Sequence, residues 1–136
     1  MTKKLTDKLA LDYWRKFKIR VRILREFLKA EDYDDVIREG QEALELFLKG
    51  LLRSMNVQPD FSHDPGKQLK QYESDVPATF KSDLDDLVKW SKQLRKEREL
   101  AFYGAEDFIP SEEYTKKDAL EVIEFLERIS KKLLAT

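Results

Sequence analysis

The residues with the most chemical promise lie in RKERELAFYG, residues 95–104. Arg95 and Arg98 sit one helical turn apart, with the aromatics Phe102 and Tyr103 just beyond them. Lys89, Lys92 and Lys96 add positive charge to the same segment. Arg98 falls on the line Phe80, Leu84, Leu87, Ser91, Leu94, Arg98, Ala101, which is otherwise mostly apolar. A guanidinium cannot shed its charge and is costly to bury without a partner. Arg98 therefore calls for an acidic neighbour, a wet cleft or an anionic ligand. One reading is a phosphate-binding cleft in which Arg acts as a bidentate clamp. The other is a structural ion pair with an acid of an earlier helix, Glu45 or Glu42, an arrangement common in helical bundles.

Other chemistries find less support. The lone histidine, His63, stands in SHDPG. It has the pKa range for acid–base work, but a loop residue beside Asp64 and Pro65 also suits the start of the next helix. The acidic runs EDYDD, SDLDD and EDF contain no calcium-loop spacing, and no Glu-x-x-His pair for a di-iron bundle occurs. They are expected to be helix starts and solvated faces. With no Cys and a single His, thiolate chemistry, disulfides and multi-His metal sites are excluded. No glycine-rich phosphate loop and no nucleophile elbow is present. No metal and no cofactor is expected.

The positioning elements are helical. Leu5, Leu9, Tyr13, Phe17, Val21, Leu24 and Leu28 recur every three or four residues, with Ile19, Ile23 and Phe27 widening the stripe of a long first helix. A second helix is expected over 34–55, with Val36, Gly40, Ala43, Leu44, Phe47, Leu48, Leu51 and Leu52 on its apolar face. Gly40 lowers helix propensity there, so a close helix–helix approach is expected. Residues 56–66 read as a loop and 66–73 as a short helix. Pro77 can open a fourth helix, which runs to a C-terminal cap at Gly104. Residues 105–114 form a loop, and Thr115 with Asp118 caps a last helix whose core face carries Ala119, Val122, Ile123, Leu126, Ile129 and Leu133. The expected fold is a single all-α domain over 1–136, an up-down bundle of four long helices plus one short helix.

Composition sets outer limits. The chain has 136 residues, 41% hydrophobic and 39% charged, with a formal net charge of -1. Residues 1–30 hold 10 Lys/Arg against 3 Asp/Glu, and the remainder 16 against 24. A basic arm on an acidic body fits nucleic-acid contact, and equally a solvated face or attraction to an acidic surface of its own or a second subunit. No signal peptide and no membrane span is expected, which makes the cytoplasm the default address.

Several segments in this order resemble the HEPN family, named for higher-eukaryote and prokaryote nucleotide binding. DVIREGQEALELFLKGLLRSMNV resembles the family's second helix, and DFSHDPGKQL its loop before the short helix. RKERELAFYG resembles the Arg-rich segment leading to a His-Tyr-Gly or Asp-Tyr-Gly end, and DFIPSEEYTKKDALEVIEFLERI the closing loop and last helix. The likeness spans about residues 10–134. It implies a homodimer whose two motifs share a cleft. Many members are metal-independent ribonucleases with an Arg-x(4–6)-His motif, the Arg on the phosphate and the His assisting the 2′-hydroxyl. Arg98 matches that Arg, but Phe102 stands four residues on and Tyr103 five, and no His lies within reach. Tyr103 can donate a proton, yet with a reference pKa near 10 it is a poor base. By the same resemblance Glu45 is the acid expected to orient Arg98. Members also pair with minimal nucleotidyltransferases in toxin–antitoxin-like modules, some of which modify a HEPN Tyr. That position corresponds here to Gly104 or Ala105, with Tyr103 the substitute.

The reading preferred from sequence is therefore a dimeric nucleotide- or RNA-phosphate-binding and partner-binding module using Arg95, Arg98, Phe102 and Glu45. The alternatives are a degenerate ribonuclease, with Arg98 and Tyr103 as its catalytic pair, and a structural dimer without a ligand.

Overall fold

A computed structural model describes residues 7–60 and 64–134. Four long helices dominate: α1 (Lys8–Lys29), α2 (Tyr33–Ser54), α5 (Leu84–Tyr103) and α7 (Lys116–Leu134). Between them lie α3 (Pro65–Gln71), a 3-10 turn at Glu73–Asp75, and the single-turn helices α4 (Ala78–Lys81) and α6 (Pro110–Glu113). Among the described residues there is no strand, only an isolated bridge between Ala105 and Phe108. The all-α bundle expected from the apolar periodicity is the fold observed.

The central helix is α2. Its apolar spacing buries Val36, Ala43, Leu44, Phe47, Leu48, Leu51 and Leu52. Phe47 lies at the middle of an aromatic cluster, with ring centroids 5.3 Å from Phe17 and 5.1 Å from Phe80. Contacts Asp7–Arg53, Trp14–Gly50 and Phe17–Phe47 show that α1 runs antiparallel to α2. Gly40 is where α7 comes closest: a Cβ there would stand 2.7 Å from Val122 Cγ1. The expected packing role of that glycine is thus met.

Residues 105–114, expected as a loop, carry the single-turn helix α6, and two larger expectations also need correction. On α1 the buried line is Ala10, Trp14, Phe17, Val21 and Leu24. Leu9 and Ile23 are 43% and 46% exposed instead of joining the core. Trp14 decides the rotation of the helix, because its ring fills the space beside Gly50 and its indole N–H donates to the Phe47 carbonyl at 3.1 Å. Leu5 lies outside the described residues.

The second correction concerns the fourth helix. It does not run unbroken from Pro77, because the chain turns at Ser82–Asp83 between α4 and α5. The turn carries the Asp83 carboxylate inward, leaving the residue only 2% exposed. Arg128 Nη1 donates to its Oδ1, and Lys132 Nζ donates to its Oδ2 at 2.5 Å. Asp83 is therefore a buried acid held by two cations of α7 and does not belong to a solvated helix start.

Candidate functional site

The facing surfaces of α2 and α5 form a ladder of polar side chains. Glu45 meets Arg95, Glu42 meets Arg98, and Arg38 meets Phe102. Numbers fall along α2 as they rise along α5, so the two helices run antiparallel and the rungs repeat every three or four residues. Helical periodicity puts these residues on the facing sides, and the axial register of the two helices sets which rung meets which.

Glu45 is the most firmly held acid in the ladder. Its Oε1 accepts from Arg95 Nη1 at 2.5 Å and from the buried Gln41 Nε2 at 2.6 Å, and its Oε2 accepts from Lys49 at 3.4 Å. Glu45 was expected to orient Arg98, and the structure assigns it to Arg95 instead. Arg98 has Glu42 as its ionic partner, with Nη2 3.8 Å from Oε2, and its side chain is 49% exposed. The oxygen that faces Arg98 also accepts from Arg38 Nη1 at 3.2 Å.

Arg38 is bound on several sides. It pairs with Asp35 at 3.3 Å and Glu39 at 3.0 Å, and its guanidinium stands 4.8 Å from the centre of the Phe102 ring. Burial works against its charge, but Glu39, Asp35 and Glu42 outweigh that and hold its pKa above the ordinary arginine value. Sequence reasoning passed over Arg38. The i, i+4 spacing of Arg38 and Glu42 was the available signal.

A recess of about 500 Å³ opens along the ladder, lined by Gln41, Glu42, Glu45, Arg95, Arg98 and Glu99. A smaller one of about 70 Å³ adjoins it, where Arg98 meets Phe102 and Tyr103. Those two rings touch edge to face with centroids 4.6 Å apart, and Tyr103 is 78% exposed. Arg95, Arg98, Phe102 and Glu45 are thus brought to one surface. Tyr103 lies at its rim, and among the described residues no group accepts from or donates to its hydroxyl. His63 lies outside the described residues. The cap of α3 belongs to its neighbour Asp64, whose Oδ1 accepts from Gly66 N at 2.9 Å and from the buried Ser91 hydroxyl at 2.5 Å.

The match to a known family decides between a generic bundle and something more specific. The family model described as HEPN domain covers residues 11–135. This chain belongs to the HEPN domain family. No curated protein and no solved structure matches it. The HEPN match takes in the whole ladder, Arg98 and Phe102 included. No described helix of this HEPN domain is long and apolar enough to cross a membrane.

One acidic run has a distinct electrostatic character. Asp32, Asp34 and Asp35, at the start of α2, bring their carboxylate oxygens within 4.8 Å of one another. Burial first, then hydrogen bonds and repulsion from Asp35 and Asp34, push the Asp32 carboxyl up to about 7. The unfolded chain titrates this group near 4. Between those values the folded protein holds the extra proton, so stability from this group is greatest at low pH and is lost as pH rises through about 7. Asp32 makes no capping hydrogen bond, so amidation removes no cap. Asp32→Asn is therefore expected to raise Tm relative to wild type more at pH 8 than at pH 5. An equal difference at both pH values in thermal melts contradicts the shared-proton account.

Proposed function

We propose that this HEPN protein works as a homodimer that binds the phosphates of a nucleotide or of RNA in the Arg95/Arg98 recess. Its partner in the cell is a minimal nucleotidyltransferase, in a toxin–antitoxin-like pair. The observation that carries the binding reading is the state of Arg98. It is half exposed, it lines the recess, and its one ionic contact among the described residues is long. An incoming phosphate can therefore take its N–H groups without first breaking a tight pair. Arg95 is committed to Glu45, which leaves Arg98 as the freer guanidinium of the recess. The partner reading rests on family membership alone.

A phosphate held by one guanidinium gains about 1.5–3 kcal/mol from charged hydrogen bonds, which is roughly a ten- to hundredfold change in affinity. Arg98→Ala is expected to weaken binding of ATP or of a short single-stranded RNA by that factor and to flatten the salt dependence. Glu42→Gln removes the competing carboxylate and is expected to tighten binding. Affinities unaffected by Arg98→Ala, measured by titration across a salt series, would exclude this recess as the binding site.

The ribonuclease reading has Arg98 and Tyr103 around one small recess in its favour. Against it stands the Tyr103 hydroxyl, which has no hydrogen-bond partner among the described residues. Incubation with single-stranded RNA is expected to give no cleavage. Cleavage lost in both Arg98→Ala and Tyr103→Phe would replace the binding reading by this one.

A further inference from the structure

A second cavity lies on a different face of α5, between that helix, the start of α7 and the segment joining them. It measures about 260 Å³. That is small for a nucleotide but suited to a group the size of one side chain. Trp90, Phe108 and Tyr114 supply aromatic wall. Trp90 is braced by stacking on Phe125 at 5.7 Å, and Phe108 meets Tyr114 edge to face at 5.7 Å. Buried Leu94 and Val122 close the floor.

The charge in this cavity has one sign. Glu97, Glu113, Asp118 and Glu121 line it, and among the described residues no Lys, Arg or His does. Tyr114 donates to Glu97 Oε1 at 2.7 Å. Burial, that hydrogen bond, and the charges of Glu97, Asp118 and Asp34 raise the Tyr114 pKa, so the phenol stays neutral as a fixed donor. Asp118 Oδ2 accepts from Thr115 N at 2.9 Å. Glu113 and Glu121 form no ion pair among the described residues.

The arrangement selects a kind of cation. Among the described residues only Asp32, Asp34 and Asp35 bring three ligand atoms within 4.8 Å of one another. The carboxylates of this cavity are therefore too dispersed to converge on a metal ion. Spread around aromatic faces, they suit a diffuse organic cation, which gains from ring quadrupoles and from carboxylates together. We propose that the Trp90–Tyr114 cavity binds an alkylguanidinium or alkylammonium group. Two sources share that chemistry: an arginine or lysine side chain of a protein segment, and a free polyamine.

The intact protein reports on itself, because its two tryptophans, Trp14 and Trp90, give two indole N–H signals in an NMR spectrum. Trp14 is buried against Phe47 and serves as the internal control. Titration with a short arginine peptide, with spermidine, and with the same peptide carrying citrulline for arginine separates the cases. A saturable shift of the Trp90 signal is expected with a cationic probe, with Trp14 unmoved and citrulline inert. Saturation by the peptide alone assigns a basic protein segment, and by spermidine alone a polyamine. Glu97→Gln with Glu121→Gln is expected to weaken binding about tenfold or more, the scale of a lost charged hydrogen bond; the same spectra show that the variant is folded. Arg98→Ala is expected to leave the shift unchanged, which keeps this site separate from the phosphate recess. No saturable shift with either cation, or an equal shift with citrulline, overturns the proposal.

Discussion

Asp83→Ala is expected to destabilise the protein by about 3 kcal/mol, near the lower end of what removing one partner of a buried ion pair costs. The lower end applies because the losses are uneven. Asp83 is 2% exposed, but the side chains of Arg128 and Lys132 are 46% and 31% exposed and can turn partly to water. Lys132 also keeps its hydrogen bond to the Thr79 carbonyl at 3.2 Å. Arg128→Ala is expected to cost less, about 1 kcal/mol, because Asp83 then still holds Lys132. Urea denaturation compares the variants, with Asp83→Asn separating charge from shape. If Asp83→Ala and Arg128→Ala lose the same small amount, the acid is not an anchor. The position matters for function because Asp83 stands at the start of α5 and ties it to α7. A slack start lets α5 slide, and Arg95 and Arg98 slide with it.

Asp83 also shows where sequence reading ends. In SDLDD it looks like any acid of a first helical turn, and periodicity cannot tell an inward turn from a continued helix. The partners that pull it inward lie more than 40 residues away on α7. The same limit explains the exchange of partners at the ladder. Glu42 and Glu45 are three residues apart, as are Arg95 and Arg98. Helical spacing puts all four on facing sides, but an axial shift of one turn between α2 and α5 changes which acid meets which arginine. That shift is set by how the two helices pack along their length, which no local pattern reports.

Features defined within a few residues were legible. Gly40 proved to be a close approach to α7. Thr115 and Asp118 form the reciprocal cap expected of them, with Thr115 N donating to Asp118 Oδ2 and Asp118 N to Thr115 Oγ1 at 3.2 Å. On α1 the sequence offers apolar residues at both 9 and 10, and at both 13 and 14. The choice between the two lines fell to Trp14, whose ring needs the vacancy above Gly50 on another helix. The aromatic and acidic cavity beside Trp90 draws on α2, α5, α7 and the joining loop. Its members are scattered over the sequence, and no spacing rule collects them.

Gly104→Ala is the substitution in which fold and site are expected to fail together. Gly104 ends α5 with φ 71° and ψ -165°, a region open essentially to glycine alone, and a side chain there costs about 1–3 kcal/mol in strain. Space is short as well. A Cβ would stand 2.6 Å from the Phe108 carbonyl oxygen and 2.8 Å from Pro110 Cδ. That oxygen is backbone and accepts from Ala105 N at 2.9 Å, so it cannot move without opening the Ala105–Phe108 bridge. The total is expected to be roughly 3 kcal/mol or more, since clash adds to strain. Gly40→Ala makes the useful contrast. Its clash is with a valine methyl at 2.7 Å, which can rotate away, and alanine returns up to about 1 kcal/mol of helix propensity. The alternative open to the Gly104→Ala chain is to unwind its last turn, giving up the bond from Gly104 N to the Leu100 carbonyl. Phe102 then leaves Arg38, and the wall beside Arg98 goes with it. Faster amide exchange at 100–104 and weaker binding of ATP or RNA are expected in any Gly104→Ala protein that remains folded. Wild-type denaturation and exchange in that variant would mean that the glycine conformation does not hold this end of the recess.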